Sequence, residues 1–291
     1  MFSFFKKITK FFFGKNLGAI PGVRPLYKFL FGKLKPKGIV LTKVDTGKMF
    51  VDSSDTGLAP YLLMHGVFGE YETELVKEIV KPGAVVIDVG ANIGYFTLLF
   101  SRLAGEGGKV YAFEPDPKNH ELLLKNLDVN KVGNTTAVKK ALSNKTGKTK
   151  LFLDQLNLGD MSMAAGNIDN PAGFLEVETI TLDEYLAGEQ EKRVDFIKID
   201  VQGAEALVIE GAEKTIKTAK PKILLEFWPW GLRNLGSDPE ALLRRIEGYG
   251  YTIKVLDVQN FVLKTQSVSE IMRLQKNRKD GRGFANLLCE F

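Results

Sequence analysis

A single stretch near residue 90 restricts the fold of this chain more than any other. Val85–Ile87 is a run of β-branched residues, Asp88 follows it, and a turn with Gly90 and Gly94 leads into an apolar helical pattern. Glycine adopts backbone conformations that other residues avoid, so these glycines predict a tight turn between a strand and a helix. Ligands of open α/β sheets lie at the carboxyl ends of the strands, beside such turns. We therefore expect a ligand site at Asp88–Gly94.

The alternation of strand and helix continues beyond this turn. Further strands are predicted at Lys109–Phe113, Thr135–Ala141, Asp195–Ile199, Lys222–Phe227, Tyr251–Leu256 and Phe284–Glu290. Helices are predicted at Pro117–Val129, Ala204–Lys217, Pro239–Glu247 and Ser267–Lys276. Alternating elements of this kind indicate an α/β fold in which helices cover both faces of a mostly parallel sheet. The stretch Asp154–Phe174 has no clear period and predicts a long loop.

Charge and turn residues divide the 291 residues into three predicted parts. Residues 1–37 contain nine Lys and Arg, and no acidic residue precedes Asp45. Residues 38–82 predict a hairpin and a helix, and residues 83–291 predict the main domain. Beyond residue 37 the chain carries 31 basic and 35 acidic residues. This mildly acidic body does not favour a nucleic-acid partner.

The first fifteen residues predict a short amphipathic helix. Apolar Phe5, Ile8 and Phe12 repeat at helical spacing, and a basic face carries Lys6, Lys7 and Lys10. This pattern is typical of a helix that lies in the interface of an anionic membrane. Packing of the phenylalanines on the domain or on a partner subunit is the alternative. A single cysteine fits a reducing compartment, so we expect a cytoplasmic protein, with peripheral membrane contact under the first interpretation.

Acidic residues end several of the predicted strands. Glu114 closes the strand after Asp88, and a carboxylate there can accept hydrogen bonds from both ribose hydroxyls of a nucleoside ligand. Asp200 ends a later strand and Glu205 follows in the next helical turn, where it could also be a helix cap. Glu226 ends the strand after that. Because the chain has two histidines and one cysteine, a metal site built on those residues is not expected, and three acids without histidine, Asp200, Glu205 and Glu226, are only weak evidence for one.

Two tryptophans follow Glu226, at positions 228 and 230, and they are the only ones in the chain. Their position beside the expected site suggests an apolar wall for a substrate, with Trp228 and Trp230 as candidate substrate-binding residues. Ordinary packing in the core or in a lid is the alternative interpretation.

Residues 70–257 resemble the FkbM family of S-adenosylmethionine-dependent methyltransferases. The matching segments are Glu72–Leu75, Val86–Tyr95, Phe113–Pro115, Asn126 and Asn130, Ala141–Ser143, Thr181–Asp183, Ile197–Glu205 and Leu225–Glu226. The resemblance implies a class I methyltransferase fold, a Rossmann-like seven-stranded sheet whose last strand is antiparallel. It also implies methyl transfer to a hydroxyl of a sugar, glycolipid or natural product. The family often carries an acid where Gln202 stands here.

The resemblance also assigns roles within the site. The implied residues for S-adenosylmethionine are Asp88, Gly90, Ala91, Asn92, Gly94, Glu114, Ser143 and Asp200. A hydroxyl acceptor needs a base, and with histidine scarce we expect a carboxylate: Asp200 first, then Glu205 and Glu226. A nicotinamide-dependent oxidoreductase is an alternative, which the absence of a G-x-G-x-x-G motif disfavours. A non-catalytic membrane scaffold is another, which the acids at the strand ends disfavour.

Overall fold

The computed structural model describes residue 2 and residues 23–257, 260–276 and 283–291. The strands are β1 Ile39–Val44, β2 Gly47–Asp52, β3 Val85–Val89, β4 Lys109–Phe113, β5 Thr135–Val138, β6 Ala141–Leu142, β7 Gly147–Asp154, β8 Pro171–Ile180, β9 Phe196–Ile199, β10 Lys222–Phe227, β11 Thr252–Asp257, β12 Val262–Thr265 and β13 Ala285–Glu290. The helices are α1 Val23–Leu34, α2 Ala59–Met64, α3 Glu70–Ile79, α4 Tyr95–Ala104, α5 Pro117–Val129, α6 Leu182–Gly188, α7 Glu205–Gly211, α8 Glu213–Ala219, α9 Pro229–Asn234, α10 Pro239–Gly248 and α11 Val268–Lys276. The amphipathic helix predicted around residues 5–12 lies outside the described residues.

The large sheet has the order β12-β11-β13-β10-β9-β3-β4-β5. Strands β5, β4, β3, β9 and β10 are parallel, and β13 runs antiparallel to both of its neighbours. The seven strands from β11 to β5 are the predicted class I sheet with its antiparallel last strand. An eighth strand, β12, extends that sheet at the β11 edge and is antiparallel to β11.

Apolar side chains of the sheet pack on both faces, as a parallel sheet covered by helices requires. Strand β3 is buried along its whole length. Val86 belongs to the cluster on one face together with Phe100 of α4. Ile87 belongs to the cluster on the other face together with Ile209 of α7. The alternation along β3 therefore fixes which helices cover which face.

The predicted long loop at Asp154–Phe174 is wrong at both of its ends. Strand β7 continues to Asp154 and β8 begins at Pro171, and the two pair antiparallel in a small sheet with β6. Six of the ten residues of β8 are exposed, and its two buried residues lie in its second half. The exposed first half of β8 has no apolar alternation from which a strand could be predicted. It is a strand because its backbone pairs with β7.

Two further element boundaries differ from the prediction. The helix predicted over Ala204–Lys217 is two helices, α7 and α8, which meet at Ala212. Asp183 accepts hydrogen bonds from the backbone N–H groups of Lys214 and Thr215, 2.9 and 2.8 Å away, and so caps α8. The predicted strand Thr135–Ala141 is divided into β5 and β6.

The hairpin β1–β2 is joined to the main domain by side chains of α5. The side chain of Asn126 accepts a hydrogen bond from the Phe50 backbone at 2.6 Å and donates one to the Ile93 carbonyl at 2.7 Å. Asn130 pairs in the same way with the backbone of Lys48. Met49 of the hairpin is buried in the same apolar cluster as Val86 of β3. Residues 39–80 therefore share a core with the domain predicted to begin at residue 83.

None of the helices in the described ranges has the length and apolar character that crossing a membrane requires. Helix α1 packs on the domain through Phe31, which is buried, and leaves Phe29 61 % exposed.

Candidate functional site

A cavity of about 410 Å³ lies at the carboxyl ends of β3, β4 and β9. Its size is within the range of small-molecule sites. Its lining includes most of the residues predicted for the cofactor, namely Asp88, Gly90, Ala91, Asn92, Glu114 and Asp200. The cavity is therefore where the sequence motif placed a ligand.

The turn after β3 forms only because two of its residues are glycines. Gly90 has φ +81°, and a Cβ atom there would lie 1.9 Å from the Asp200 carbonyl oxygen. Gly94 has φ +93°, and its Cβ would lie 2.5 Å from Leu123 of α5. Gly90 thus permits contact between the turns after β3 and β9, while Gly94 lets α4 begin close to α5.

Asp88 is fully buried and lies in the cavity wall. Its Oδ2 accepts a hydrogen bond of 2.6 Å from the Thr97 hydroxyl, and its Oδ1 has no partner in the described residues. Burial raises the pKa of Asp88, and the nearby Lys198 ammonium partly opposes that rise. A buried carboxylate oxygen without a partner is costly, so it marks a place for a ligand donor or cation.

Glu114 is held by backbone N–H groups on both of its oxygens. Asn92 donates to Oε2 at 2.8 Å and Asp116 donates to Oε1 at 2.9 Å. Burial raises the pKa of Glu114 to about 8, although these hydrogen bonds favour its ionised form. Each carboxylate oxygen retains a lone pair, so Glu114 can still accept hydrogen bonds from ligand hydroxyls.

Lys198 and Asp200 form an ion pair at the end of β9, with 3.0 Å between Nζ and Oδ2. They are two residues apart and so lie on one face of the strand. Burial alone would raise the pKa of Asp200, but the Lys198 ammonium holds it below its usual value. Lys198 also lies 4.8 Å from the centre of the Phe96 ring. Asp200 is therefore an ionised carboxylate at the cavity floor.

Gln202 joins Asp200 to the second carboxylate of the site, Glu226. Its Nε2 donates to Glu226 Oε2 at 2.9 Å and to Asp200 Oδ1 at 3.2 Å. Burial, followed by the charge of Asp200, raises the pKa of Glu226 well above its usual value. The pair thus favours one ionised carboxylate and one that keeps its proton.

The loop between β7 and β8 holds the Gln202 turn in place. Gln202 has φ +51°, a strained value for a residue other than glycine. Its carbonyl accepts hydrogen bonds from the Ser162 hydroxyl at 2.7 Å and from Asn167 Nδ2 at 3.0 Å. Asn167 in turn accepts a hydrogen bond from Asn234 of α9. The region predicted as a featureless loop therefore supports the turn that carries Asp200 and Gln202.

A second cavity, of about 670 Å³, adjoins the first. The two share Lys198, Asp200 and Glu226 in their walls. The remaining wall comes mainly from the segment between α2 and α3 and from the start of β13. The carboxylates therefore lie where two separate binding spaces meet.

Some predicted site residues lie elsewhere. Glu205 is fully buried and absent from both cavity walls, because its Oε1 accepts a hydrogen bond from the Gly203 backbone at 2.8 Å and so braces its own turn. The prediction of a catalytic role for Glu205 is therefore corrected. Ser143 and Gly94 also lie behind the first cavity and not in its wall.

The predicted wall of tryptophans is also corrected. Trp228 and Trp230 are half-buried around the start of α9, and neither lines either cavity. The Trp228 ring lies against Gly231, where an added Cβ would be 2.2 Å from it. The turn into α9 at Pro229 explains this, because it directs the chain away from the strand end.

Several wall residues had no signal in the sequence. Phe284 and Tyr61 line both cavities although they lie more than 200 residues apart, and only closure of the fold brings them together. Thr97, which lines neither cavity but donates to Asp88, was identifiable in principle because it lies one helical turn after Gly94. Within the described ranges no group of three or more acidic, His or Cys side chains is arranged to hold a metal ion.

Comparison with known proteins agrees with this geometry. The sequence pattern described as "Methyltransferase FkbM domain" matches residues 88–253, a narrower range than the predicted 70–257. The chain is similar to 2-O-methyltransferase NoeI of Sinorhizobium fredii, with 27 % identity over 157 residues that cover 49 % of this chain and 63 % of the relative.

Two further similarities are weaker in coverage or in identity. The 31-O-demethyl-FK506 methyltransferase FkbM of Streptomyces tacrolimicus is 27 % identical over 161 residues, 46 % of this chain and 61 % of the relative. The chain thus spans about three fifths of the length of these two relatives. A crystal structure of a methyltransferase FkbM from Methylobacillus flagellatus superposes with a TM-score of 0.42 at 16 % identity, covering 79 % of this chain and 52 % of the other.

Proposed function

This chain belongs to the FkbM family of S-adenosylmethionine-dependent methyltransferases, and on that premise we propose that it methylates a hydroxyl group of a sugar, a glycolipid or a related natural product. The observation that carries the proposal is the ion pair of Lys198 and Asp200 at the junction of two cavities. One cavity suits the cofactor and the other an acceptor, with a carboxylate between them. The relatives named as O-methyltransferases support a hydroxyl acceptor.

The residues of the first cavity fit S-adenosylmethionine. The unpartnered Oδ1 of Asp88 suits the ammonium group of its methionine part, and Glu114 suits its ribose hydroxyls. Apolar side chains in the same wall, Leu142 and Met161 among them, suit the adenine ring. When bound, S-adenosylmethionine supplies an activated methyl group on a positively charged sulfur.

Asp200 is the proposed base. Its ionised carboxylate accepts the hydroxyl proton of the acceptor as the new C–O bond forms. The hydroxyl proton of the acceptor becomes strongly acidic as its oxygen receives the methyl group, so a carboxylate with a low pKa is a sufficient base. Lys198 keeps Asp200 ionised and oriented, and Gln202 holds it beside Glu226, which keeps its own proton. In-line alignment of the two substrates supplies the remainder of the acceleration.

The test compares Asp200→Asn with the wild type in two measurements. If Asp200 is the base, calorimetric titration with S-adenosylhomocysteine should give affinities within a few-fold of each other, because the cofactor retains Asp88 and Glu114. A large loss of affinity in the variant would instead assign Asp200 to the cofactor. Methyl transfer from labelled S-adenosylmethionine to a panel of hydroxylated glycans and lipids should fall roughly 10²- to 10⁴-fold in the variant. Full turnover by the Asp200→Asn variant would show that Asp200 is not the base.

Two control experiments accompany this test. Glu121→Gln changes an exposed acid that pairs with Lys125 and lines neither cavity, and it should match the wild type in both measurements. A parallel titration with NAD should show no binding. Saturable binding of NAD without binding of S-adenosylhomocysteine would instead favour the oxidoreductase alternative.

We further propose that the basic segment of residues 1–37 contacts anionic membrane surfaces, although α1 within it packs on the domain through Phe31. The exposed Phe29 and the nearby Lys33 in α1 continue the aromatic and basic pattern of the first fifteen residues. Replacement of Lys6, Lys7 and Lys10 by glutamate should abolish flotation with anionic liposomes and leave affinity for S-adenosylhomocysteine unchanged. Equal flotation of both proteins would contradict this proposal.

A further inference from the structure

The second cavity carries an inference that rests on the proposed function and sharpens it. Its wall combines exposed aromatic rings with acidic side chains. Tyr61 and Phe284 are 53 % and 46 % exposed although they line a cavity, so each presents a ring surface that the protein does not cover. Phe68 packs edge-on against Tyr61 with 5.7 Å between ring centres. Such rings are typical walls for the apolar faces of cyclic ligands.

The acids particular to this cavity are Glu70 and Glu72, in the first turn of α3. That helix begins at Gly69, which also lines the cavity, so its N-terminus faces the ligand space. A helix N-terminus attracts negative charge, and here the protein's own carboxylates supply it. Glu72 additionally accepts a hydrogen bond from the Asn286 side chain on the opposite wall. An anionic ligand would have to displace or approach these groups.

Positive charge does not offset these acids. Among the described residues of this wall the only Lys or Arg is Lys198, and its charge is matched by Asp200 at 3.0 Å. Glu226 keeps its proton because burial and Asp200 raise its pKa. The cavity therefore presents a negative potential around the acceptor hydroxyl.

We propose that this cavity is the acceptor subsite and that it selects a neutral or amino sugar over a sugar that carries a carboxylate or phosphate. The rings receive the face of the sugar, and the acids of α3 accept hydrogen bonds from its hydroxyl or ammonium groups. An anionic substituent is rejected because it meets Glu70 and Glu72. The described wall contains no lysine or arginine beyond Lys198, which already pairs with Asp200, and only His65 as a further basic side chain.

The experiment measures kcat/KM for three acceptors with one aglycone: a p-nitrophenyl glucoside, glucosaminide and glucuronide. The wild type should methylate the first two at least about tenfold more efficiently than the third. The double variant Glu70→Gln, Glu72→Gln should lose most of that discrimination while its affinity for S-adenosylhomocysteine stays unchanged. Glu74→Gln, on the same helix and outside the cavity wall, should retain it.

Each contrary result has a distinct meaning. Equal or better use of the glucuronide by the wild type would overturn the charge selection. Binding of S-adenosylhomocysteine without methylation of any of the three sugars would overturn the sugar subsite and leave the methyltransferase proposal standing. Absence of S-adenosylhomocysteine binding would defeat the proposed function itself.

Discussion

The two cavities that meet at Asp200 are built from different parts of the chain. The first is formed mainly within residues 88–253, the range that matches the family, and its polar groups follow the ends of β3, β4 and β9. The second takes its own ionisable groups, His65, Glu70 and Glu72, from outside that range. The difference separates a cavity built on strand ends of the family domain from a cavity whose own acids lie outside the matched range 88–253, and under our proposal the first binds the cofactor and the second the acceptor.

The largest effect on both cavities should come from Gly90→Ala. The new Cβ would meet the Asp200 carbonyl oxygen at 1.9 Å and would require φ +81°. We expect the free energy of unfolding to fall on the order of 3 kcal/mol, with loss of S-adenosylhomocysteine binding. Denaturant unfolding and calorimetry measure the two quantities.

Gly83→Ala is the matched control for that variant. Gly83 has φ +80° but no atom within 4 Å of the added Cβ, so only the backbone strain remains, about 1 kcal/mol. Equal losses in the two variants would show that the contact between the turns does not matter.

Ionisation of Glu114 should affect ligand binding in the first cavity alone. Its pKa of about 8 means that it is largely protonated below that pH, whereas hydroxyls of a ligand prefer to donate to its ionised form. Binding of S-adenosylhomocysteine should therefore strengthen from pH 6 to pH 8, by up to about tenfold per unit, and level off above. Glu114→Gln should bind more weakly and without this slope, and a slope that persists in the variant would assign it to another group.

A smaller effect should come from Asn167→Ala, which removes support from the Gln202 turn. Three donor contacts of Asn167 Nδ2, to Ser162, Gln202 and Gly231, would be lost. We expect the free energy of unfolding to fall by about 2 kcal/mol and turnover to fall more than cofactor affinity. Asn170→Ala, in the same loop but exposed, serves as control, and an equal change in both would argue against a specific support role.

The smallest effect should come from Trp230→Phe. Because Trp230 lines neither cavity, KM values for acceptor and cofactor should stay within about twofold of the wild type. A large rise in the KM for the acceptor, with the KM for the cofactor unchanged, would support the substrate-binding role that the sequence suggested for Trp230.

The sequence predicted the parts of this site that local chemistry determines. Gly90, Asp88 and Glu114 stand at strand ends in consecutive units, and Asp200 ends the neighbouring strand β9. The pairing of Asp200 with Lys198 was not predicted, although strand alternation explains it. Glu205 is held by a hydrogen bond from the backbone of Gly203 in its own turn, and the local sequence pattern does not predict this contact. The second cavity is lined by Tyr61 and by Phe284 just before β13, residues far apart in the sequence, so its walls follow from the closed fold alone.

The close approach of Gly90 to Asp200 also constrains how this enzyme can diverge. Any side chain at residue 90 would strike the Asp200 backbone, so a substitution there requires the two turns to separate. We therefore expect altered acceptor specificity to be easier to obtain at residues 65–72, most of which line the second cavity, than at residue 90. A directed-evolution library over residues 65–72, with 88–94 and 198–203 held constant, is the shortest route to altered acceptor scope.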